Sequence, residues 1–365
     1  MINRILPLFS LVTVISAACP PNADANVRRI LIDQDAGGDD AWALLMLLMN
    51  EGEYNVCVQA ITCTHGNTDI DNVAMNVART LAALDRSDVP MYRGASERLI
   101  TPAPDRDGSG YFWGMNGFGD VRFNSTPSLA AIPEDHAVMQ MHELLQKYPQ
   151  QITILCTGPL TNLALLFKLF PEVKGNIADI FILGGNRYGV GNTDFTAEFN
   201  FYDDPEAANI VVNNAPVVLN IFPWETILDL ERVFPTQWRM ESFREPRNEA
   251  IAMLNAVEAV VYANITGWTP CDMYLAAVVL DHGLIRKSVQ YRADVELNGK
   301  ITRGMLGILY HEHDEDQFNV NIIDGVDEDT LKQMVVDLNR GADENGVDVR
   351  PYRDRLMAGL KFKGI

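Results

Sequence analysis

The segment Ile30-Leu31-Ile32-Asp33-Gln34-Asp35-Ala36-Gly37-Gly38-Asp39-Asp40-Ala41-Trp42-Ala43-Leu44-Leu45 constrains the fold more than any other. An unbroken apolar run passes through two glycines into a second apolar run of helical character. A strand with no polar face is buried on both sides, and such strands belong to parallel sheets covered by helices. The alternation recurs. Strands are expected at Arg29–Asp33, Val56–Thr62, Ile152–Cys156, Ile180–Leu183 and Val217–Ile221, and helices at Asp39–Asn50, Asp69–Leu84, Leu160–Phe170 and Pro205–Asn213. This predicts an α/β fold with an open, mostly parallel (mixed) sheet and helices on both faces. From Asn248 to Leu280 the pattern is helical. Strand alternation returns at Val289–Leu297 and Ile301–Tyr310, and a last helix is expected over Glu328–Leu338.

The chain has 365 residues, 47% apolar and 21% charged, enough to bury a sizeable core. No repeat or low-complexity linker divides it, so residues 26–365 read as a single domain. Asp and Glu number 49 against 29 Lys and Arg, a net charge of −20. That field repels a phosphate backbone and an anionic bilayer, so neither nucleic acid nor membrane is an expected partner. A small neutral substrate or a cation suits it.

Residues 1–25 stand apart. Arg4 precedes an apolar run, Ile5 to Ala18, of about 14 residues, too short to span a bilayer and suited to a signal peptide. Cleavage after Ala18 or Ala25 would leave small residues one and three positions before the cut; lipidation at Cys19 and an uncleaved segment are the alternatives. The expected location is secreted, or periplasmic in a bacterium. Five cysteines are too few for a disulfide scaffold, and Cys57, Cys63 and Cys156 lie in strand-like runs that predict buried free thiols. Asn124 and Asn264 open sequons that matter only in a eukaryotic source.

Asp33, Asp35, Asp39 and Asp40 place four carboxylates within eight residues at the strand–helix junction. Asp33 and Asp35 alternate at period two and share one side of the strand end. Gly37 and Gly38 permit a tight turn. Asp39 and Asp40 open the helix, where backbone N–H groups favour negative charge. Capping accounts for one aspartate, two at most. Converging carboxylates repel and raise one another's pKa, and a hard divalent cation removes that penalty. The junction also lies beyond a strand's carboxyl end, where open α/β sheets bind ligands.

The strand–Asp-x-Asp-x-Gly-x-Asp-Asp-Ala–helix pattern resembles the opening of the nucleoside hydrolase family, the inosine–uridine-preferring ribohydrolases. Later segments resemble that family in the right order: His65-Gly66-Asn67, Cys156-Thr157-Gly158-Pro159-Leu160-Thr161-Asn162, Leu183-Gly184-Gly185-Asn186 with Gly191-Asn192, Ala197-Glu198-Phe199-Asn200, Asp203-Asp204-Pro205-Glu206 and Pro270-Cys271-Asp272. The resemblance implies a Rossmann-like fold, a nucleoside substrate and a homodimer or homotetramer. It further implies Ca²⁺ held by Asp35, Asp40, Asp272 and the backbone carbonyl of Thr157, with Asp33 supporting these ligands from behind. Asp35 would take a proton from the water that attacks the ribose. Asp39, Asn67, Asn192, Glu198 and Asn200 would hold the ribose hydroxyls. A site built this way rejects 2′-deoxynucleosides, because each unpaired buried partner costs about 1–3 kcal/mol.

Two departures bear on the leaving base. Many family members carry His before the late Asp, and this chain carries Cys271, whose thiol is a poor general acid near neutrality. The loop Gly108–Asp120 has Trp113 where the family usually has His, and Asn116 where it has Asp. Base stacking on Trp113, with Trp268 or Tyr262 across the pocket, would then help the base leave, and purines would be preferred. Trp224-Glu225 is expected at the pocket rim, His65 in a structural hydrogen bond, and His311-Glu312-His313-Asp314 at a solvated hairpin end rather than a second metal site. Two rivals stay open: a Mg²⁺-dependent phosphohydrolase, which lacks an evident Lys or Thr partner here, and a catalytically silent nucleoside-binding protein.

Overall fold

A computed structural model describes residues 27–100, 111–311 and 318–340. Nine strands form one sheet: β1 (Arg28–Gln34), β2 (Val56–Cys63), β3 (Met91–Arg93), β4 (Ile152–Cys156), β5 (Ile177–Leu183), β6 (Leu219–Phe222), β7 (Ile285–Val295), β8 (Leu306–Leu309) and β9 (Val320–Val326). The order is β3-β2-β1-β4-β5-β6-β9-β7-β8. Strands β1 to β6 and β9 run parallel, and β7 runs antiparallel to both β9 and β8. The helices are α1 (Gly38–Leu48), α2 (Glu51–Tyr54), α3 (Ile70–Ala83), α4 (Ala137–Lys147), α5 (Thr161–Leu169), α6 (Phe199–Asp203), α7 (Pro205–Asn214), α8 (Trp224–Glu231), α9 (Thr236–Ser242), α10 (Glu249–Val261), α11 (Cys271–Leu280) and α12 (Glu328–Asp337).

Alternation along each strand divides the apolar runs between two cores. Ile30, Ile32, Leu155, Phe181 and Leu183 face a core shared with α1, α10, α11 and α12. Leu31, Ile154, Cys156, Ile180 and Ile182 face a second core under α4, α5 and α7. The runs are continuous because both faces are covered. Every residue of α11 is buried, and α1 is nearly as enclosed, since these two helices pack against each other over the sheet.

The chain winds from β1 outward to β2 and β3, then crosses back to place β4 on the other side of β1. The crevice beyond the carboxyl ends of β1 and β4 is the switch point at which such sheets bind ligands. The loops after these two strands carry Asp35 and Thr157.

Several elements differ from the expectation. The strand β9 was not anticipated, because its run Val320-Asn321-Ile322-Ile323-Asp324-Gly325-Val326 mixes polar residues and glycine into the apolar pattern, yet it fills the gap between β6 and β7. Only Leu306–Leu309 of the expected strand at Ile301–Tyr310 is extended. Helices α8 and α9 were likewise not anticipated. Cys63 and Cys156 are buried free thiols, whereas Cys57 is disulfide-bonded, which corrects its reading as a third one. The expected signal segment, and residues 312–314 of the His-Glu-His-Asp run, lie outside the described residues. No described helix is long and apolar enough to cross a membrane.

Candidate active site

Beyond Gln34 the chain must turn from the sheet into α1, and it does so at Ala36, whose φ of 40° lies in the left-handed region. The Ala36 carbonyl accepts a hydrogen bond from Asn76 Nδ2 at 3.1 Å, which holds the turn. Gly37 has φ −75° and needs no special conformation, so the glycines are not there for the turn itself. They make room. A Cβ on Gly38 would stand 2.4 Å from Trp113 Cζ3, and one on Gly37 would stand 2.7 Å from Trp113 Cδ1 and 2.6 Å from Asn67 Nδ2.

The aspartates then converge. Asp39, Asp40 and Asp272 each offer a carboxylate oxygen, and these atoms lie within 4.8 Å of one another. Asp40 accepts from Thr157 Oγ1 at 2.8 Å and from the Gly37 N–H at 2.8 Å. Asp35 accepts from the backbone N–H of Asn67 at 2.6 Å and from its side-chain amide at 3.1 Å, and that amide also reaches Asp40 at 3.5 Å. Asp33 sits behind, accepting from Thr62 Oγ1 at 2.7 Å and Asn162 Nδ2 at 2.8 Å. Asp39 and Asp40 occupy the first turn of α1 and Asp272 the first turn of α11, so two helix amino-termini point positive ends at the cluster.

That field does not offset burial. Burial pushes Asp33 up to about 6, despite the bonds from Asn162 and Thr62. Burial pushes Asp40 up to about 6 as well, against the bonds from Thr157 and Gly37. Asp35, Asp39 and Asp272 are held well above the usual carboxylate range, by burial first and then by neighbouring aspartate charges. Asp272 Oδ1, Asp39 Oδ1 and Asp33 Oδ2 are buried without a hydrogen-bond donor among the described residues. Buried anionic oxygens without donors are costly, and a hard cation is the partner this all-oxygen set fits. The tight trio contains Asp39 in place of Asp35; Asp35 joins it through Asp40 and the shared Asn67 amide.

Asp39 and Asp272 floor a cavity of about 500 Å³ lined also by Asn67, Thr157, Asn192, Glu198 and Asn200, while Asp35 and Asp40 stand behind it, bonded to Asn67 and Thr157. Glu198 caps α6 by accepting from the N–H groups of Asn200 and Phe201, and it also accepts from the Gly185 N–H at 3.0 Å. Burial pushes its carboxyl up to about 7, against these bonds. Asn200 donates to the carbonyls of Thr157 at 2.9 Å and Leu183 at 3.1 Å, so the Thr157 carbonyl already has one partner.

Tyr111, Phe112, Trp113, Trp224 and Ile227 form the apolar part of the wall. Of the three aromatics expected at the base, only Trp113 lines the cavity. Tyr262 stands behind it, ring edge to ring face at 5.8 Å. Trp268 is fully buried in an aromatic core with Trp42, Phe234 and Trp238, and its Nε1 donates to Glu258 Oε1 at 2.7 Å. This corrects its placement across the pocket: the indole N–H is already spent on a buried carboxylate, and the ring has no free face.

The family model of inosine–uridine preferring nucleoside hydrolases matches residues 30–333. The chain belongs to that family. The pyrimidine-specific ribonucleoside hydrolase RihA of Escherichia coli is 31% identical over 327 residues, covering 84% of this chain and 97% of that protein. RihA of Salmonella arizonae is 38% identical over 191 residues, 52% of this chain and 58% of that protein, so the match spans little more than half of it. Among solved structures, an inosine–guanosine nucleoside hydrolase superposes with TM-score 0.78 at 25% identity, over 85% of this chain and 98% of that one. A purine-preferring ribonucleoside hydrolase from Gardnerella vaginalis shares the fold, with TM-score 0.75 at 23% identity over 86% and 98%.

As a nucleoside hydrolase the chain is an N-glycosidase, which removes the phosphohydrolase rival. Its Cys271 lines the cavity, where burial pushes the thiol up and Sγ donates to the Thr269 carbonyl at 3.2 Å. Two supports of this nucleoside hydrolase site stand at residues the sequence singles out, but in a bracing role it does not show. The first is α5, whose opening residues knit the site: Asn162 also donates to the Cys63 carbonyl and accepts from the Ala95 N–H, while Thr161 donates to Asp204. The second is Glu225, which accepts three backbone N–H bonds from Arg187, Tyr188 and Val190 and so fixes the turn before Asn192. The signal was the pair of buried polar residues closing the Thr-Gly-Pro-Leu-Thr-Asn run, which no surface role explains.

Proposed function

We propose that the chain is an exported, Ca²⁺-dependent N-ribohydrolase that splits ribonucleosides into base and ribose, with purine nucleosides preferred. The observation that carries this reading is the convergence of Asp35, Asp39, Asp40 and Asp272 below a wall of Asn67, Asn192, Glu198 and Asn200. Asp35, Asp40, Asp272 and the Thr157 carbonyl would hold the ion, with Asp39 close enough to share it. Bound there, the ion supplies Lewis acidity that eases deprotonation of a neighbouring water.

Asp35 then takes the proton, its carboxylate fixed in orientation by the two bonds from Asn67. The water oxygen attacks the anomeric carbon as the bond to the base nitrogen breaks. The sugar passes through an oxocarbenium-like transition state, which surrounding carboxylates stabilise more than the ground state. Asp39, Asn67, Asn192, Glu198 and Asn200 bind the hydroxyls, offering both donors and acceptors. Trp113 stacks on the base as the base takes the bonding electron pair; the departing nitrogen then takes its proton from solvent water, because Cys271, with its raised pKa, keeps its own.

Export is supported by the apolar run after Arg4 and by the disulfide at Cys57, a bond favoured by an oxidising compartment. A homodimer or homotetramer is the expected assembly. A second reading, pyrimidine preference, is favoured by the similarity to RihA. Ribose release from inosine, adenosine, uridine and 2′-deoxyinosine, with and without chelator, tests all of this. The account expects the purine ribosides to lead, the deoxynucleoside to fail and chelator to abolish turnover. Uridine ahead of inosine transfers the preference to pyrimidines, and turnover untouched by chelator overturns the metal role.

A further inference from the structure

His65 is buried between three elements. Its Nδ1 lies 3.0 Å from Asp203 Oδ2 at the end of α6, and its Nε2 lies 3.1 Å from Thr161 Oγ1 at the start of α5. Thr161 has one hydroxyl hydrogen, and donates it to Asp204 Oδ2 at 2.8 Å. Asp204 is already an acceptor for the N–H groups of Leu99 at 3.0 Å and Ala207 at 3.1 Å. The Thr161 oxygen can therefore only accept from the ring, so Nε2 carries a hydrogen. Asp203 also pairs with the Arg98 guanidinium. With Nδ1 on Asp203 and Nε2 on Thr161, the ring ties the end of α6 to the start of α5, with Asp33 on β1 close by.

The ring joins two halves of the ribose wall. Two residues beyond His65, Asn67 grips Asp35; at the other end, the helix that closes on Asp203 opens with Glu198 and Asn200. We propose that His65 is a positioning residue whose doubly bonded ring fixes the distance between Asn67 on one side and Glu198 with Asn200 on the other, and so sets ribose affinity. The proposal rests on reading those three residues as ribose-binding. Loss of the ring frees Asp203 from Thr161, and the two sides of the wall separate.

The test follows KM and kcat for ribonucleoside hydrolysis, with Ca²⁺ saturating, in the parent, His65→Ala and His65→Asn. In His65→Ala, which loses both bonds, KM is expected to rise by about tenfold with kcat changing less than about twofold, a loss of uniform binding. His65→Asn, which keeps a hydrogen-bonding side chain, is expected to recover part of that loss. A parental KM in His65→Ala, or a fall in kcat as large as the rise in KM, overturns the proposal. Independently, the side-chain amide ¹⁵N signals of Asn67 and Asn200 are compared in the parent and His65→Ala without substrate. A shift of both is expected, and unmoved signals overturn the proposal. The spectra need no turnover, so a chain that failed to hydrolyse nucleosides would sink the functional reading and leave the placing of the wall measurable.

Discussion

Asn67 grips Asp35 twice, with its backbone N–H on Oδ2 at 2.6 Å and its side-chain amide on Oδ1 at 3.1 Å. Gly66 makes this possible, since a Cβ there would stand 2.0 Å from Asp35 Oδ2. The carboxylate is thereby held in one orientation. Asp35→Asn should lower kcat by roughly 10²–10⁴, the usual contribution of a positioned base. Asn67→Ala keeps the backbone bond and should lower kcat by less, about tenfold, with a rise in KM. Steady-state kinetics on both variants check this, and equal effects would show that the amide matters only structurally.

The glycines of the first turn are there for Trp113. Gly38→Ala places a methyl 2.4 Å from the indole ring, and Trp113 must move. Overpacking of this kind costs about 1–3 kcal/mol. A lowered melting temperature together with altered base selectivity is expected. A variant with parental selectivity would show that the position of Trp113 does not bear on the base.

Trp113 and Trp268 should separate cleanly. Trp113→Ala opens the cavity wall and is expected to reduce purine turnover more than pyrimidine turnover. Trp268→Phe leaves Glu258 Oε1 without one of its two indole donors and should destabilise the fold by about 1–3 kcal/mol while sparing selectivity. Specificity profiles of the two variants, beside thermal melts, decide it.

The carboxylate cluster predicts a pH dependence of stability. Asp33 and Asp40 are pushed up to about 6, and Asp35, Asp39 and Asp272 are raised as well, so the folded chain holds these protons more tightly than the unfolded one. Their stabilising contribution is complete below the ordinary carboxylate range near 3.8 and is lost as pH rises through about 6. Without a divalent cation, the melting temperature should fall as pH rises from about 4 through about 6. Saturating Ca²⁺, which binds the ionised cluster, should remove that fall and add about 2.7 kcal/mol at a hundredfold excess over Kd. A melting temperature indifferent to Ca²⁺ at the alkaline end would contradict the reading.

The sheet and its order of elements were legible because both-sided burial leaves an unmistakable trace in β1, β4 and β5, where Leu31 and its neighbours feed opposite cores. The candidate site residues were legible because carboxylates and amides cluster at strand ends where capping cannot use them all. What stayed hidden depends on distant contacts. Trp268 and Tyr262 look alike as aromatics near α11, and only the partner Glu258 shows that Trp268 belongs to the core. Gly37 and Gly38 read as a turn, yet the strained residue is Ala36, and the glycines answer to a ring some 75 residues further on. The strand β9 lacks a pure apolar pattern because polar Asn321 pairs with Asn220 on the neighbouring strand.

The central claim is that Asp40 and Asp272, brought together from α1 and α11, hold one divalent cation that grips the sugar. Calorimetric titration of Ca²⁺ into the chelator-treated chain, with and without ribose, tests it most directly, beside Asp272→Asn. The account predicts one ion per chain, bound more tightly with ribose present and lost in the variant. Absence of saturable binding in the parent, or binding unchanged in Asp272→Asn, would contradict it.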